Sequence, residues 1–411
     1  MVVVKKTYKY RAYPSKEQKA ILNHQMLLSK QLYNILLEKS QQHFKDTGKT
    51  FTKYDMIKWT TKLKKEHPEY NEVYSQVVQN VPDRLSKAYK NFFRRVKEKH
   101  NGKKQKVGFP RFKSFVSSLT YPQSGFKIEK KRIDLSKIGR INFVNHRAIE
   151  GDIKTLSIKK TKSGEWYATI AVEKEDVIPF TNGKEAIGID LGITNYATLS
   201  KGIVLQNRDI SDEERNTLRK MQKSISRKRK GSKNRWKAKQ TFARYSEHIQ
   251  RIREDALHKM SYNLVNSYSL IAYEELKIAN MVRNHNLAKS ISESSWGNFI
   301  QLLQYKAESA GCVVVGVNPQ NTSKTCSECG NVQDMSLGKR TYRCKGCGRS
   351  KDRDLNASIN ILKRAREGHS RSHAQGDMTS AMQQASKSRI EELRTYSANA
   401  VHVNAGEAHI L

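Results

Sequence analysis

The sequence predicts a multidomain α+β protein. A β-barrel domain is split by a helical insertion, and an α/β domain with an inserted cysteine ribbon follows. Three observations lead there. Apolar residues recur at helical spacing through residues 12–100. Short alternating runs then fill 107–182 and share their character with the first ten residues. Beyond them, strand, helix and strand signals precede two Cys-x-x-Cys pairs.

Taken in order, VVVKKTYKYR mixes β-branched and aromatic residues and reads as a strand. Ser15-x-x-Gln18 fits a capping box, and Leu22, Met26, Tyr33 and Leu37 carry the helix it opens to about Lys45. A second helix covers about 53–66 and stops at Pro68. A third covers about 74–99 on the stripe Val77 or Val78, Val81, Leu85, Ala88 or Tyr89, and Phe92; Pro82 either kinks it or marks its start. From Val107, segments such as GFPRFKS, SSLTYP and EWYATIAVEKE are short and turn-punctuated, as in a small antiparallel barrel that the opening strand can join. EAIGIDLGITNYATL (185–199) is a buried strand pair, and 212–266 a long helical hairpin bending at KGSKNR (230–235). SLIAYEEL, NFIQLLQYKAESAG with Gly311 at C′, and CVVVGVNP then give a βαβ crossover. A helix over about 354–366 follows the cysteine insert, and the rest lacks a sustained apolar stripe. The expected division is 1–11 with 107–182 for the barrel, 12–106 for the insertion, 183–322 with 350–367 for the α/β domain, 323–349 for the ribbon and 368–411 for a disordered tail.

Charge narrows the partners. Among 411 residues, 77 Lys+Arg oppose 39 Asp+Glu, a net +38, so a polyanion is expected, and nucleic acid fits best. Hydrophobic residues reach only 37%, which leaves a modest core and much basic surface. No run of ~18 apolar residues exists to span a membrane. Three N-terminal valines are too few for a secretory segment. Five cysteines, four of them in knuckles, do not make a disulfide framework, and a reducing cytoplasmic setting is expected. The 18 Tyr and 12 Phe argue against a wholly disordered basic chain.

Two constellations carry chemistry. Cys326-x2-Cys329-x14-Cys344-x2-Cys347 offers four thiolates, a closed tetrahedral set suited to one structural Zn²⁺. Gly330 and Gly348 follow the knuckles and let the backbone turn under the sulfurs. Cys312, opening an apolar strand, reads as a core thiol. Asp190 lies inside the apolar strand IGIDLG, Glu274 ends SLIAYEEL, and Asp354 opens a helix. Singly these are ordinary: a hydrogen-bonded strand acid, an exposed strand end, a helix cap. Converging on one sheet edge, they are the hard oxygen ligands a two-Mg²⁺ phosphodiester site needs.

At these residues the chain resembles the TnpB family of transposon-encoded proteins, relatives of the compact type V CRISPR nucleases. YKYRAYPSKEQ, GFPRFKS, IGIDLGITNYATLS, IREDALHKMSYNLV, YEEL, the C-x2-C…C-x2-CG ribbon and DRDLNASINI carry the resemblance, which spans roughly 1–366. It implies a wedge barrel, a helical recognition insertion and an RNase H-like (RuvC) nuclease domain that cuts DNA under a transposon-end-derived guide RNA. It also implies recognition of a short motif beside the double-stranded target, and one protein per guide RNA in a prokaryotic cell. The resemblance assigns catalysis to Asp190, Glu274 and Asp354. Glu275 stands where the family usually has Asp, and Ser358 replaces a family Ala.

Surfaces for the nucleic acids follow from charge. Residues 215–253 hold 15 Lys/Arg and one acid, Glu247, with Arg227, Lys228, Arg229 and Lys230 as candidate phosphate contacts. Residues 94–113 hold nine Lys/Arg and one acid, with Arg111 and Lys113 as candidates and Phe109, Phe112 and Tyr121 interleaved for stacking. The resemblance makes insertion and barrel read the flanking motif, which selects Gln76, Gln79, Asn80, Thr120, Tyr121 and Gln123; Gln and Asn can pair with adenine in the major groove. Other functions compete. They are a nuclease-dead RNA-guided repressor, a transposase that joins DNA ends without RNA, and a CRISPR-array effector of the same lineage.

Overall fold

The computed structural model describes residues 2–103, 105–176, 183–206, 210–336 and 338–374. Two compact units emerge. One takes the chain through 176 with 212–249, and the other takes 183–206, 210–211 and the chain from 250.

The first unit runs β1 (Val2–Tyr13), α1 (Lys16–Thr47), α2 (Lys53–Glu66), a 3₁₀ turn (Pro68–Glu72), α3 (Ser75–His100), β2 (Ser118–Pro122), β3 (Phe126–Ile128), β4 (Arg132–Leu135), β5 (Gly139–Phe143), β6 (Asp152–Lys160) and β7 (Trp166–Asp176). As expected, β1 joins the later strands, pairing antiparallel with β7 from Val2↔Asp176 to Ala12↔Trp166. The sheet order is β2-β6-β7-β1-β5-β4-β3. Its two edges are thus consecutive strands, separated only by residues 123–125. Four Cα steps reach at most about 15 Å. Six strand spacings in a flat sheet would cover about 29 Å. The sheet therefore curls until its edges nearly meet.

The insertion shares the barrel's core: Leu22, Leu36, Met56 and Leu85 pack in one cluster with Leu119, Ile133, Ile158 and Ile170. The Ser15–Gln18 capping box is present, and α1 ends at Gly48 with φ +70°. Thr52 and Asp55 make a second capping box on α2. Pro82 does not start α3; the helix passes through it, and the missing N–H costs one bond on a side that is buried.

Two long helices follow, α4 (Asp212–Ser226) and α5 (Lys233–Ser267), so the bend occupies 227–232, slightly earlier than KGSKNR. The first part of α5 docks on the β6–β7 turn. Gln240 Nε2 donates to Lys162 O at 3.1 Å, and the Ser163 hydroxyl donates to Glu247, the lone acid of the basic stretch.

The second unit is built on β8 (Ala186–Leu191), β9 (Ala197–Leu199), β10 (Val204–Leu205), β11 (Leu270–Glu274) and β12 (Val313–Val317), in the order β10-β9-β8-β11-β12. β8, β11 and β12 are mutually parallel and β9 returns antiparallel to β8. Between β11 and β12 lie α6 (Ile278–Met281), α7 (His285–Ser294) and α8 (Trp296–Ala310), the expected crossover, with Gly311 capping α8 at φ +63°. Side chains alternate along each strand. Ile187, Ile189, Ile271 and Tyr273 pack with Leu257 and Leu264 of α5 and Phe299 and Leu303 of α8. Leu270 and Ala272 face the other way, toward Ile361 and Ala365 of α9 (Arg353–Ala374). Before α9, β13 (Thr341–Arg343) and β14 (Ser350–Asp352) form the ribbon hairpin. α9 outruns its expected end near 366 and reaches Ala374; the tail expected to be disordered beyond it lies outside the described residues.

Candidate active site and metal centre

Alternation decides where the acids point. On β8, Gly188 and Asp190 share the face opposite Ile187 and Ile189; on β11, Glu274 shares the face of Ala272. In the parallel register Tyr273 pairs with Ile189, so Glu274 stands level with Asp190 one residue on. Gly188 lets α9 in. A Cβ there would lie 2.1 Å from Ser358 O and 2.9 Å from Leu362 N. From that contact Asp190 is two residues up the strand, about 6.6 Å. Asp354 is one turn back up the helix, about 6 Å. One close approach thus brings the third acid level with the first two.

Each acid has its own support. Buried Glu274 accepts the hydroxyl of buried Thr322, which leaves its second oxygen open. Buried Asp354 meets Arg340, whose Nη1 is 3.4 Å from Oδ2 while its Nη2 donates to Thr194 Oγ1 at 2.8 Å. Asp352 has the capping role: its Oδ1 accepts the N–H groups of Asp354 and Leu355 at 2.9 and 3.0 Å. Glu275 is exposed and lies over Gly316. Burial pushes Asp190 well above the ordinary carboxylate range, and the charges of Glu274 and Asp354 push it further. Glu274 is also raised, again chiefly by burial, with Thr322 opposing. These carboxylates repel one another where water cannot screen them, and a cation relieves that cost.

The ribbon's sulfurs are already a cage. Cys326, Cys329, Cys344 and Cys347 place their Sγ atoms within 4.8 Å of one another, the only such group of three or more ligands among the described residues. Cys326–Cys347 and Cys329–Cys344 stand at 3.8 and 3.6 Å. A tetrahedron with ~2.3 Å metal–sulfur bonds has edges of about 3.8 Å, so the four thiols fit one metal ion. Gly330 (φ +77°) and Gly348 (φ +71°) donate back to Cys326 O and Cys344 O, closing each knuckle in a conformation glycine adopts freely. N–H groups of Cys347 and Gly346 pull the Cys344 thiol down to about 6. The expected core thiol Cys312 is buried, which raises it to about 11.

Buried amides of α9 join ribbon to site. Asn356 accepts from Ser327 N and donates to Thr325 O, while Asn360 donates to Thr322 O and Thr325 O at 2.9 and 2.7 Å. Thr322 is the residue that holds Glu274.

The nucleic-acid candidates divide. Tyr121 is corrected: it is fully buried, stacked on Tyr74, because β2 alternation turns it into the barrel. Asn80 Oδ1 and Thr120 Oγ1 accept from Arg84 at 2.8 Å, so both are held in place by it. Gln76 accepts from Ser124 N, while Gln79 and Gln123 are exposed. Lys113 is half-buried against Tyr33, whereas Arg111 is exposed. Lys228 bonds Ser224; Arg227, Arg229 and Lys230 are exposed at the bend. Phe112 is exposed, while Phe109 packs edge-on against Tyr89 and Phe92. Arg340 was not legible in the sequence: it is one of many basic residues there, and only the ribbon's fold brings it to Asp354.

Family profiles match at 1–49 ("Helix-turn-helix domain"), 169–285 ("Probable transposase", of the OrfB type of IS605 elements) and 296–361 ("Cas12f1-like, TNB domain"). Residues 1–49 hold one strand and one helix rather than a helix-turn-helix. A protein of Streptomyces pristinaespiralis named as an RNA-guided DNA endonuclease is 32% identical over 372 residues, 88% of this chain and 90% of that one. InsQ of Escherichia coli K12, named likewise, is 28% identical over 86% of this chain and 91% of its own length. Among solved structures, the mini-RNA-guided endonuclease CRISPR-Cas_phi3 aligns at TM-score 0.40 and 11% identity, over 88% of this chain and 92% of that one. The profile over residues 169–285, with the relatives that span most of the chain, defines an insertion-sequence protein of the OrfB class. Within that class, the chain belongs to the TnpB family of transposon-encoded RNA-guided nucleases.

Proposed function

We propose that this chain is an RNA-guided DNA endonuclease that uses a transposon-end-derived guide RNA, reads a short target-adjacent motif and cuts double-stranded DNA. Its barrel and insertion act as wedge and recognition parts, and the second unit as an RuvC nuclease. The reading rests on one observation above the rest: the Gly188–Ser358 contact, which sets Asp354 level with Asp190 and Glu274.

In this reading Asp190, Glu274 and Asp354 hold two Mg²⁺, and the four cysteines hold one Zn²⁺. Bound Mg²⁺ supplies an activated water and charge neutralisation at the leaving oxygen. The chain's own groups prepare the place. Thr322 fixes one Glu274 oxygen and leaves the other for a ligand. Asp352 caps α9 and so holds the helix start that carries Asp354. Arg340, exposed and joined to both Asp354 and Thr194, is the cation placed to meet a substrate phosphate. Sequence reading is left to base pairing, and the exposed Arg227, Arg229 and Lys230 contact phosphates. The test is Asp190→Ala purified with its guide RNA. Loss of target cleavage with guided binding retained supports the reading, and cleavage that persists in Mg²⁺ sinks it.

A further inference from the structure

The most basic part of the hairpin, residues 215–253, carries an exposed tryptophan. Trp236 stands in the first turn of α5 and is 63% exposed. The other three tryptophans are placed otherwise: Trp166 and Trp296 are buried, and Trp59 is half-buried and stacked on Phe51. A single exposed aromatic is ordinary on a protein surface; what singles out Trp236 is a large, flat apolar face set among cations.

Its surroundings point to an occupant. At 100° per residue, Lys233 and Lys239 lie about 60° to either side of Trp236, with Arg244 and Lys237 just beyond. All four are exposed and have no acidic partner among the described residues. The acid of this stretch, Glu247, accepts from Ser163, and Gln240, one turn from Trp236, donates to Lys162 O. The indole is therefore held on a docked, rigid helix within a ring of unpaired cations. A protein partner would have to bring a dense acidic patch, whereas a nucleic acid offers phosphates and flat apolar rings together.

We propose that Trp236 is a stacking platform for an unpaired nucleobase, with Lys233, Lys237 and Lys239 holding the flanking phosphates. This rests on the hairpin being a nucleic-acid surface. A duplex hides its base faces, so the occupant is single-stranded or bulged, and every base offers a π-face that an indole accepts. The same chemistry comes from guide RNA or from a displaced DNA strand.

The test titrates the full-length protein with labelled single-stranded RNA of mixed sequence, with the same RNA as a blunt duplex, and with single-stranded DNA of that sequence. Trp236→Ala should weaken single-strand binding about tenfold and leave duplex binding unchanged. Trp236→Phe should restore most of it. The slope of log affinity against log salt should not move, since no charge is lost. Indole emission should be quenched by the single strand in the wild type and not in Trp236→Phe. A larger loss on RNA assigns the base to the guide, and a larger loss on DNA assigns it to the displaced strand. Lys233→Ala with Lys237→Ala should instead flatten the single-strand salt slope by about 1.4, at ~0.7 per cation. If Trp236→Ala binds as wild type and the single strand does not quench the wild-type indole, while the lysine variant flattens the slope, the platform is wrong and the hairpin surface stands. If neither variant changes anything, both are wrong. Equal losses on single strand and duplex also overturn stacking.

Discussion

The second unit holds two ligand clusters built on opposite plans. The four ribbon sulfurs lie within 4.8 Å of one another, turned inward by glycine knuckles and fed by backbone N–H groups. The three carboxylates are not gathered that closely; burial raises both Asp190 and Glu274, and the charges of Glu274 and Asp354 raise Asp190 further. A cage that satisfies its ion completely has nothing left for a substrate. In the proposed reading, a set of acids that is uncomfortable alone, and wider than one ion, keeps places open for water and phosphate. Closed sites hold shape and open sites do chemistry.

That contrast can be broken from either side. The largest effect should come from the open cluster: Asp190→Ala should cut cleavage by at least ~10²–10³-fold while guided binding stays near wild type, measured by gel cleavage and filter binding. Cys329→Ser should come next. It should release zinc by elemental analysis, free the chain ends that Asn356 and Asn360 hold, and lower cleavage indirectly. The stability effects should run in the opposite sense from one another. Folded Asp190 binds its proton more tightly than the unfolded chain does. Metal-free stability is therefore greatest in acid and is lost as pH rises through the raised value. Asp190→Asn removes that loss, so at pH 7 without metal it should be more stable by roughly 1 kcal/mol. The gap should close as pH falls toward ~4, and added Mg²⁺ should reverse the order. Calorimetry across pH checks this. The smallest effects sharpen the boundary of the site: Asp352→Ala should cost about 1 kcal/mol of cap energy with cleavage largely kept. Glu275→Gln, exposed over Gly316, should change neither.

Local chemistry made much of this legible. Ser15–Gln18, the Gly311 cap, the cysteine spacing and the period of IGIDLG each act within a few residues, where the chain dictates its own geometry. What escaped was set by distant partners. Tyr121 looked like a loop aromatic until β2 alternation buried it, and Lys228 looked free until Ser224 claimed it. Nothing in YRCKGCG or its neighbours marks Arg340, because its partner Thr194 comes from the bend between β8 and β9, far earlier in the chain. The carboxylates were readable because a charge inside an apolar run is conspicuous, whereas a useful cation among 77 Lys and Arg is not.

The Gly188–Ser358 approach also sets a schedule. Asp190 leaves the ribosome early, but it has no third acid until α9 has emerged and packed against β8. On the proposed reading, throughout synthesis of the hairpin, the crossover and the ribbon the nascent chain carries a nuclease site short of one acid. On the proposed reading, a message cut short within the ribbon would yield a protein with its barrel and much of its basic surface but without the third acid.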